Sequence, residues 1–453
     1  MKCTSSVRTP SLCPLAASIA IAFTVLATLE VDARPQPGAP AAPSGAIVVT
    51  TCADGGAGSL REAYFNALDG DTIDLTQLAC STISLTTGNA LTNSPATHNL
   101  TLIGPGSDDL TIDGALSNRV LVHNGGGDLH LIGLTIANGS YSGYYGGGCI
   151  YSYGGVHTED VAVSHCSLFG GGTYHALGGA IYSHGRTYLS DTRVTNSTAR
   201  SIGGHGLGGA VFASSVRIIR STLSGNTASS DTDLSYGGGV FSTGDTEVRY
   251  STIADNTADF GGGLLLLGGT APQTRVIINS TISGNHAEYS GGGIYATYSP
   301  SLLQISNTTI TANSAAILGV AAGAHLLTAS DIVSSIIAGN AGPQEASDLV
   351  APLLTGSNNI IIESTDALPP DTIQADPLLG PLQDNGGLTS THALLAGSPA
   401  VDHGLNPLGL SLDQRAFDED MPGGYEREVG QGTDIGAFEL GVSDGIFTDG
   451  FEA

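Results

Sequence analysis

Between about positions 99 and 340 the chain repeats itself with a period of roughly 29 residues, and no other feature restricts its fold so tightly. Two fragments recur. One reads Ser-Thr-(Ile/Leu)-Ser-Gly-Asn-Thr-Ala; the other is a run of glycines followed by an aliphatic and an aromatic residue. The first gives an aliphatic column of Ile136, Leu168, Val194, Leu223, Ile253, Ile282, Ile310 and Ile337. Three positions later it gives Asn226, Asn256, Asn285, Asn313 and Asn340, with Gly139, Gly171 and Ser197 in the earlier turns. The second gives Tyr151, Tyr182, Phe212, Phe241, Leu265, Tyr295 and His325, evenly spaced except for one short step from Phe241 to Leu265.

A period of about 20–50 residues marks a solenoid, a propeller or an array. The abundance of Gly, Thr, Ser and β-branched residues excludes helical repeats. The strand segments are too short for the four strands of a propeller blade. One turn of a right-handed parallel β-helix fits, so the sequence predicts an all-β solenoid of about nine coils, capped at both ends. Like residues then stack at about 4.8 Å. The asparagines become a ladder of side-chain amides. Tyr151, Tyr182, Phe212, Phe241 and Tyr295 become a ring column, each pair contributing roughly 0.5–1.5 kcal/mol beyond its buried area. Both columns are structural and bind nothing.

The N-terminus carries a secretory pattern. Lys2 and Arg8 precede an apolar stretch from Leu12 to Leu29, and Val31-Asp32-Ala33 supplies small residues for cleavage after Ala33. The apolar stretch approaches membrane-spanning length, but a Pro/Ala-rich linker follows it directly, which favours removal over anchoring. The expected organisation is a signal peptide (1–33), a linker (34–44), an N-terminal cap (45–98), repeats (99–330), last coils with a C-terminal cap (331–441) and a tail (442–453). The chain without its signal keeps Cys52, Cys80, Cys149 and Cys166; an even count in an exported protein suits disulfides, paired 52–80 and 149–166. No later apolar run is long enough to span a membrane. The chain is expected to be secreted or displayed on the outer surface of a Gram-negative bacterium, as a monomer.

Charge narrows the chemistry. The net charge is −27, and no lysine follows Lys2. That excludes lysine nucleophiles and makes nucleic acid an unsuitable partner. Neither Cys nor His shows zinc-ligand spacing, so no metal site is expected; calcium held by aspartates is the one cofactor with any basis.

Some segments resemble known families. The Gly-Gly-Ala-Ile and Asn-containing repeats resemble those of polymorphic outer-membrane proteins, which form right-handed parallel β-helices. Thr51-Cys52-Ala53-Asp54 through Ser59-Leu60-Arg61-Glu62-Ala63, with Gly70 to Leu75 and Cys80 to Leu85, is similar to the domain named for a Cys-Ser-Leu-Arg-Glu-Ala motif. Gly58 stands where that motif has its cysteine, so Cys52 makes any disulfide there. Asp376 to Leu382, Asp384 to Gly387, Thr391 to Asp402, Asp413-Gln414-Arg415 and Asp434 to Glu439 resemble the choice-of-anchor Q domain, with Ala416 where the family has glycine. The tail Asp444 to Glu452 resembles one shared by exported proteins of gammaproteobacteria. These resemblances imply a surface or secreted location and a fold rather than an activity; the block 376–439 reads as a C-terminal cap because a solenoid needs its last coil covered.

Candidate chemistry lies in insertions of variable length that precede each glycine run. Emerging from one turn, they would line one long edge with Tyr144, Tyr145, His175, His205, Tyr236 and Tyr289, rings suited to sugar faces. Catalysis requires two carboxyls roughly 5–9.5 Å apart. Asp233, Asp255 and Asp259 are the candidates for such a pair. A column of His165, Asp191, Arg220 and Tyr250 beside Asn279 and Asn307 reads as an outward solvent face. Adhesion or glycan binding without catalysis or cofactor is the expected role, with a polysaccharide lyase or glycoside hydrolase as the alternative. A purely structural surface component is the third class.

Overall fold

A computed structural model describes residues 45–441 apart from 145, 318–320, 344–347 and 416–424. The signal segment, the linker, the tail, Tyr145 and Ala416 therefore lie outside the described residues. Four short strands make one coil. In one such coil they are Val240–Ser242, Thr246–Arg249, Thr252–Ala254 and Thr257–Phe260, and Leu264–Leu266 opens the next. These positions are the first to fourth walls below. Stacked coils form a right-handed parallel β-helix of about 10 turns. Among the described residues the first three walls merge into a 28-stranded sheet, and the fourth wall with its edge strands forms a 10-stranded one. Neighbouring coils pair parallel and in register, as Val240 with Leu264, Val248 with Ile277 and Ile253 with Ile282.

Register places like on like. Ile136, Val194, Leu223, Ile253, Ile282, Ile310 and Ile337 fill the bore at the third wall with no solvent exposure. Each buried aliphatic of this kind contributes roughly 1.5–3 kcal/mol. Leu168 does not belong to that column. Val163 fills the place, pairing with Ile136 below and Val194 above. Leu168 lies in the fourth wall between Tyr141 and Ala199, so the ladder position of this coil is Cys166 rather than Gly171. The Ser-Leu-Phe-Gly-Gly stretch around Leu168 imitates the repeat one strand too late.

Two single-residue corners, both left-handed, turn the chain inside each coil. Asp160, Asp191, Arg220, Tyr250, Asn279, Asn307, Ser334 and Asn358 separate the second wall from the third, at φ between 45° and 53°. Asn138, His165, Asn196, Gly225, Asp255, Gly284, Ala312 and Gly339 separate the third from the fourth. His165 thus belongs to the second series, not beside Asp191. Immediately after this second corner comes the ladder. The backbone N–H and the side-chain amide of Asn226 both donate to Asn256 Oδ1, at 3.0 and 2.9 Å. The motif repeats from Asn256 to Asn285, Asn313 and Asn340. Asp348 ends it by accepting both donors of Asn340.

The ring column lies outside the bore on the first wall. Tyr151, Tyr182, Phe212 and Phe241 stack at 5.5, 5.4 and 5.3 Å with interplanar angles of 12°, 18° and 7°. Loops entering the wall cover these rings, and a Cβ at Gly146 would strike the Tyr182 ring at 2.5 Å. Leu265 interrupts the stack, and Tyr295 meets His325 edge-on.

The helix Leu60–Asn66 closes the N-terminal end, burying Leu60, Ala63 and Tyr64 against the core and capped by Ser59. Disulfides join Cys52 to Cys80 and Cys149 to Cys166. The C-terminal block differs from the expected end cap. Residues from about 377 onward dock along the flank, on the third wall and its first corner. Asn279 donates to Leu412 O, Asn307 to Leu405 O and Asn358 to His403 O, while Thr389 donates to Tyr250 O. Gln414 reaches Thr252 and Thr281 on two successive coils. The corner read as solvent-facing is therefore covered from Tyr250 to Asn358, and Asn279 and Asn307 are fully buried.

Candidate functional site

The edge between the fourth and first walls holds the sequence candidates, and the structure divides them by which ring faces remain open. Stacking at one residue per coil occupies both faces of an internal ring and leaves only its rim outward. His175 and His205 stack at 4.9 Å and 6°, and Tyr236, Phe260 and Tyr289 stack at 5.7 and 5.2 Å. His205 is buried and Tyr236 is 1% exposed, so neither presents a face to a ligand. Tyr289 and His175 are half-buried rungs of the same arrays. Tyr144 and Tyr174 differ: they are 59% and 46% exposed and meet edge-on, at 4.6 Å and 75°.

Not all insertions emerge from one turn, as the sequence suggests. Where the ring column takes its short step from Phe241 to Leu265, the edge loop shrinks to Gly261–Gly263. That coil instead extends between the first and second walls, over 267–274. The next coil does the same over 297–302, carrying the 73%-exposed Tyr298.

The three aspartates are not one site. Asp255 sits exposed at the second corner. Asp259 follows four residues later, which at 3.3 Å per extended residue is ~13 Å, beyond the reach of a glycosidase pair. Asp259 Oδ2 accepts from the backbone N–H and hydroxyl of Ser235, at 2.7 and 3.0 Å. Burial pushes its carboxyl above the ordinary range, and Glu288 on the next coil adds to the rise. Asp233 faces His205 Nδ1 at 3.4 Å. Glu288, one repeat of 29 residues after Asp259 and next to the Ala258–Ala287 pair on the following coil, is a carboxylate that the three sequence candidates leave out.

A second ring-bearing surface escapes sequence reasoning. On the outer face of the second wall His130, His157 and Tyr188 stack at 4.7 and 5.7 Å, and the Arg217 guanidinium lies 5.2 Å from the Tyr188 ring. The three rings line a shallow cleft of about 250 Å³ with Glu159 and Ser190. Desolvation lowers the His157 pKa, with Asp128 opposing the shift. The sequence signal is one ring or cation per coil, His130, His157, Tyr188 and Arg217, each close to one repeat from the last.

Among the described residues no group of three His, Cys, Asp or Glu side chains is placed to hold a metal, and no helix is long and apolar enough to cross a membrane. No family model, curated protein or solved structure matches the chain.

Proposed function

We propose that this is an exported β-helix that binds a glycan at the Tyr144–Tyr174 platform. The edge-on tyrosine pair carries the reading, because Tyr144 is the exposed one among the sequence candidates within the described residues and Tyr174 beside it is exposed too. A flat ring beside the hydroxyls and amides of Gly171–Thr173 suits a sugar's apolar face and its equatorial hydroxyls. Two disulfides support an oxidising compartment, in keeping with the secretory pattern and with the resemblance of 376–439 to surface-protein domains. The test is glycan-array binding by residues 34–453, followed by Tyr144→Ala and Tyr174→Ala. Each is expected to weaken binding about tenfold, the scale of one lost aromatic contact. Array-wide absence of binding refutes the reading.

One observation favours a second reading, glycoside hydrolysis. Asp259 and Glu288 lie on adjacent coils with Asp259 raised, as an acid beside a base requires. New reducing ends lost in Asp259→Asn would establish it.

A further inference from the structure

Three arginines are buried as completely as the core aliphatics: Arg275, Arg415 and Arg427 are each at most 1% exposed. Two of them sit among acids. Arg415 donates to Asp413 Oδ2 through Nε and Nη2, at 2.9 and 2.7 Å. Arg427 lies within electrostatic reach of Glu439, Asp413 and Asp434. Arg275 has no such company. It forms no ion pair among the described residues. Asp245, the acid within electrostatic reach, is exposed on the preceding coil and accepts from the Thr274 N–H instead. Burial pushes the Arg275 pKa down to about 10, which leaves the guanidinium fully charged at neutral pH.

The position is an unusual one for a cation. Arg275 opens the second-wall strand Arg275–Ile278, in register with Thr246 on the coil below and the core residue Leu303 on the coil above. Nη2 donates to Leu267 O and to Gln273 Oε1. Nε and Nη1 have no partner, which orphans three of the five donors of the guanidinium. The corner around it is built of buried hydroxyls, Ser242 and Thr246 on the coil below and Ser299 and Ser301 in the loop above. An orphaned buried donor is costly, and a buried charge without a counter-charge costlier still. Water answers the donors but not the charge. A small anion answers both.

We infer that Arg275 holds a small monovalent anion, chloride in size and charge, inside the corner between the first and second walls, and that the ion fixes the insertions 267–274 and 297–302. The assignment is independent of the glycan reading. A doubly charged oxyanion would overcompensate one guanidinium and leave a net charge buried. The fixing follows from the bonds already made. Arg275 ties the two ends of the first insertion together through Leu267 O and Gln273 Oε1. Gln273 then donates from its side chain to Thr243 O and from its backbone N–H to Ser301 Oγ, on the coils to either side.

The test uses the whole protein purified and crystallised in sodium bromide, with diffraction recorded at the bromine edge. Bromide is expected within hydrogen-bond distance of Arg275 Nε or Nη1; ordered water there, or an empty corner, overturns the site. Amide hydrogen exchange is then compared in sodium chloride and in sodium gluconate at equal ionic strength. At ten times its dissociation constant, chloride is expected to slow exchange in 267–274 and 297–302 about tenfold and to leave coils 181–236 unchanged. Arg275→Met is expected to abolish the difference. Protection that survives in Arg275→Met, or that spreads evenly along the solenoid, is a general salt effect and overturns the fixing role. So does bromide at Arg275 with no protection of the two loops. Should Arg275→Met not fold, the bromide position and the contrast between loops and coils in the unaltered protein still decide both claims.

Discussion

Replacing Asn285 by leucine tests the ladder directly. Asn285 is fully buried, and its side chain takes part in five hydrogen bonds. Its Oδ1 accepts from the backbone N–H and the amide of Asn256; its Nδ2 serves Ile253 O, Ser283 O and Asn313 Oδ1. Leucine has similar bulk, so little cavity forms and the loss is mostly polar. Two buried donors of Asn256 are stranded, and Ile253 O loses a donor. At about 1–3 kcal/mol per stranded group the substitution costs on the order of 3–6 kcal/mol. Asn226 sits at the ladder's start, where only the Ser197 N–H uses its Oδ1. Asn226→Leu strands one donor, so it should cost about half as much. Guanidinium titration followed by circular dichroism measures both. Because each coil touches only its neighbours, Asn285→Leu should also split the transition as the two halves uncouple. If both variants stay within ~1 kcal/mol of wild type, the net worth of a single hydrogen bond, or if Asn226→Leu is the worse, the ladder does not hold the coils together.

Other outcomes follow from the same geometry. Ala312 occupies a left-handed corner at φ 56° where neighbouring coils have Gly284 and Gly339, so Ala312→Gly should raise stability by about 0.5–1 kcal/mol in the same titration. Gln414→Ala removes the contacts to Thr252 and Thr281, and should let the segment after residue 377 exchange amide hydrogens first while the solenoid stays protected. Glu439 is pushed up to about 8 by burial in the same block. Its folded form therefore holds a proton that the unfolded chain releases near pH 4.3, so its contribution falls as pH rises from there through about 8. Glu439→Gln should flatten the decline in stability between pH 5.5 and 8.5; an unchanged slope would refute the assignment.

The architecture is readable from the sequence because a solenoid puts equivalent residues in contact with each other. A column of isoleucines or asparagines at one period is already a statement about neighbours in space. The reading slips where a coil changes length. Between Ile136 and Val194 the matching fragment occurs twice within one turn, and Leu168 answers the pattern while Val163 holds the position. The docking of the C-terminal block is not readable in that way, since it joins segments with unrelated sequences. Its trace is polar side chains at left-handed corners, Asn279, Asn307 and Asn358, which have hydrogen-bonding capacity that the corner itself does not use.

Candidate binding residues pose the opposite problem, because the rule that reveals the fold conceals the site. A ring repeated on every coil stacks on its own copies, and its faces are consumed by the column. Tyr236 satisfies every sequence criterion for a sugar platform and is buried between Phe260 and His205. Open faces require a break in the repeat: a longer loop, a changed residue or an edge-on partner. The coils around residues 141–190 have all three, with eight of the 15 tyrosines between Tyr141 and Tyr188. A stable column needs identical neighbours, whereas recognition of a chain of unlike groups needs different ones. In a solenoid, departures from the period therefore locate binding better than the period does.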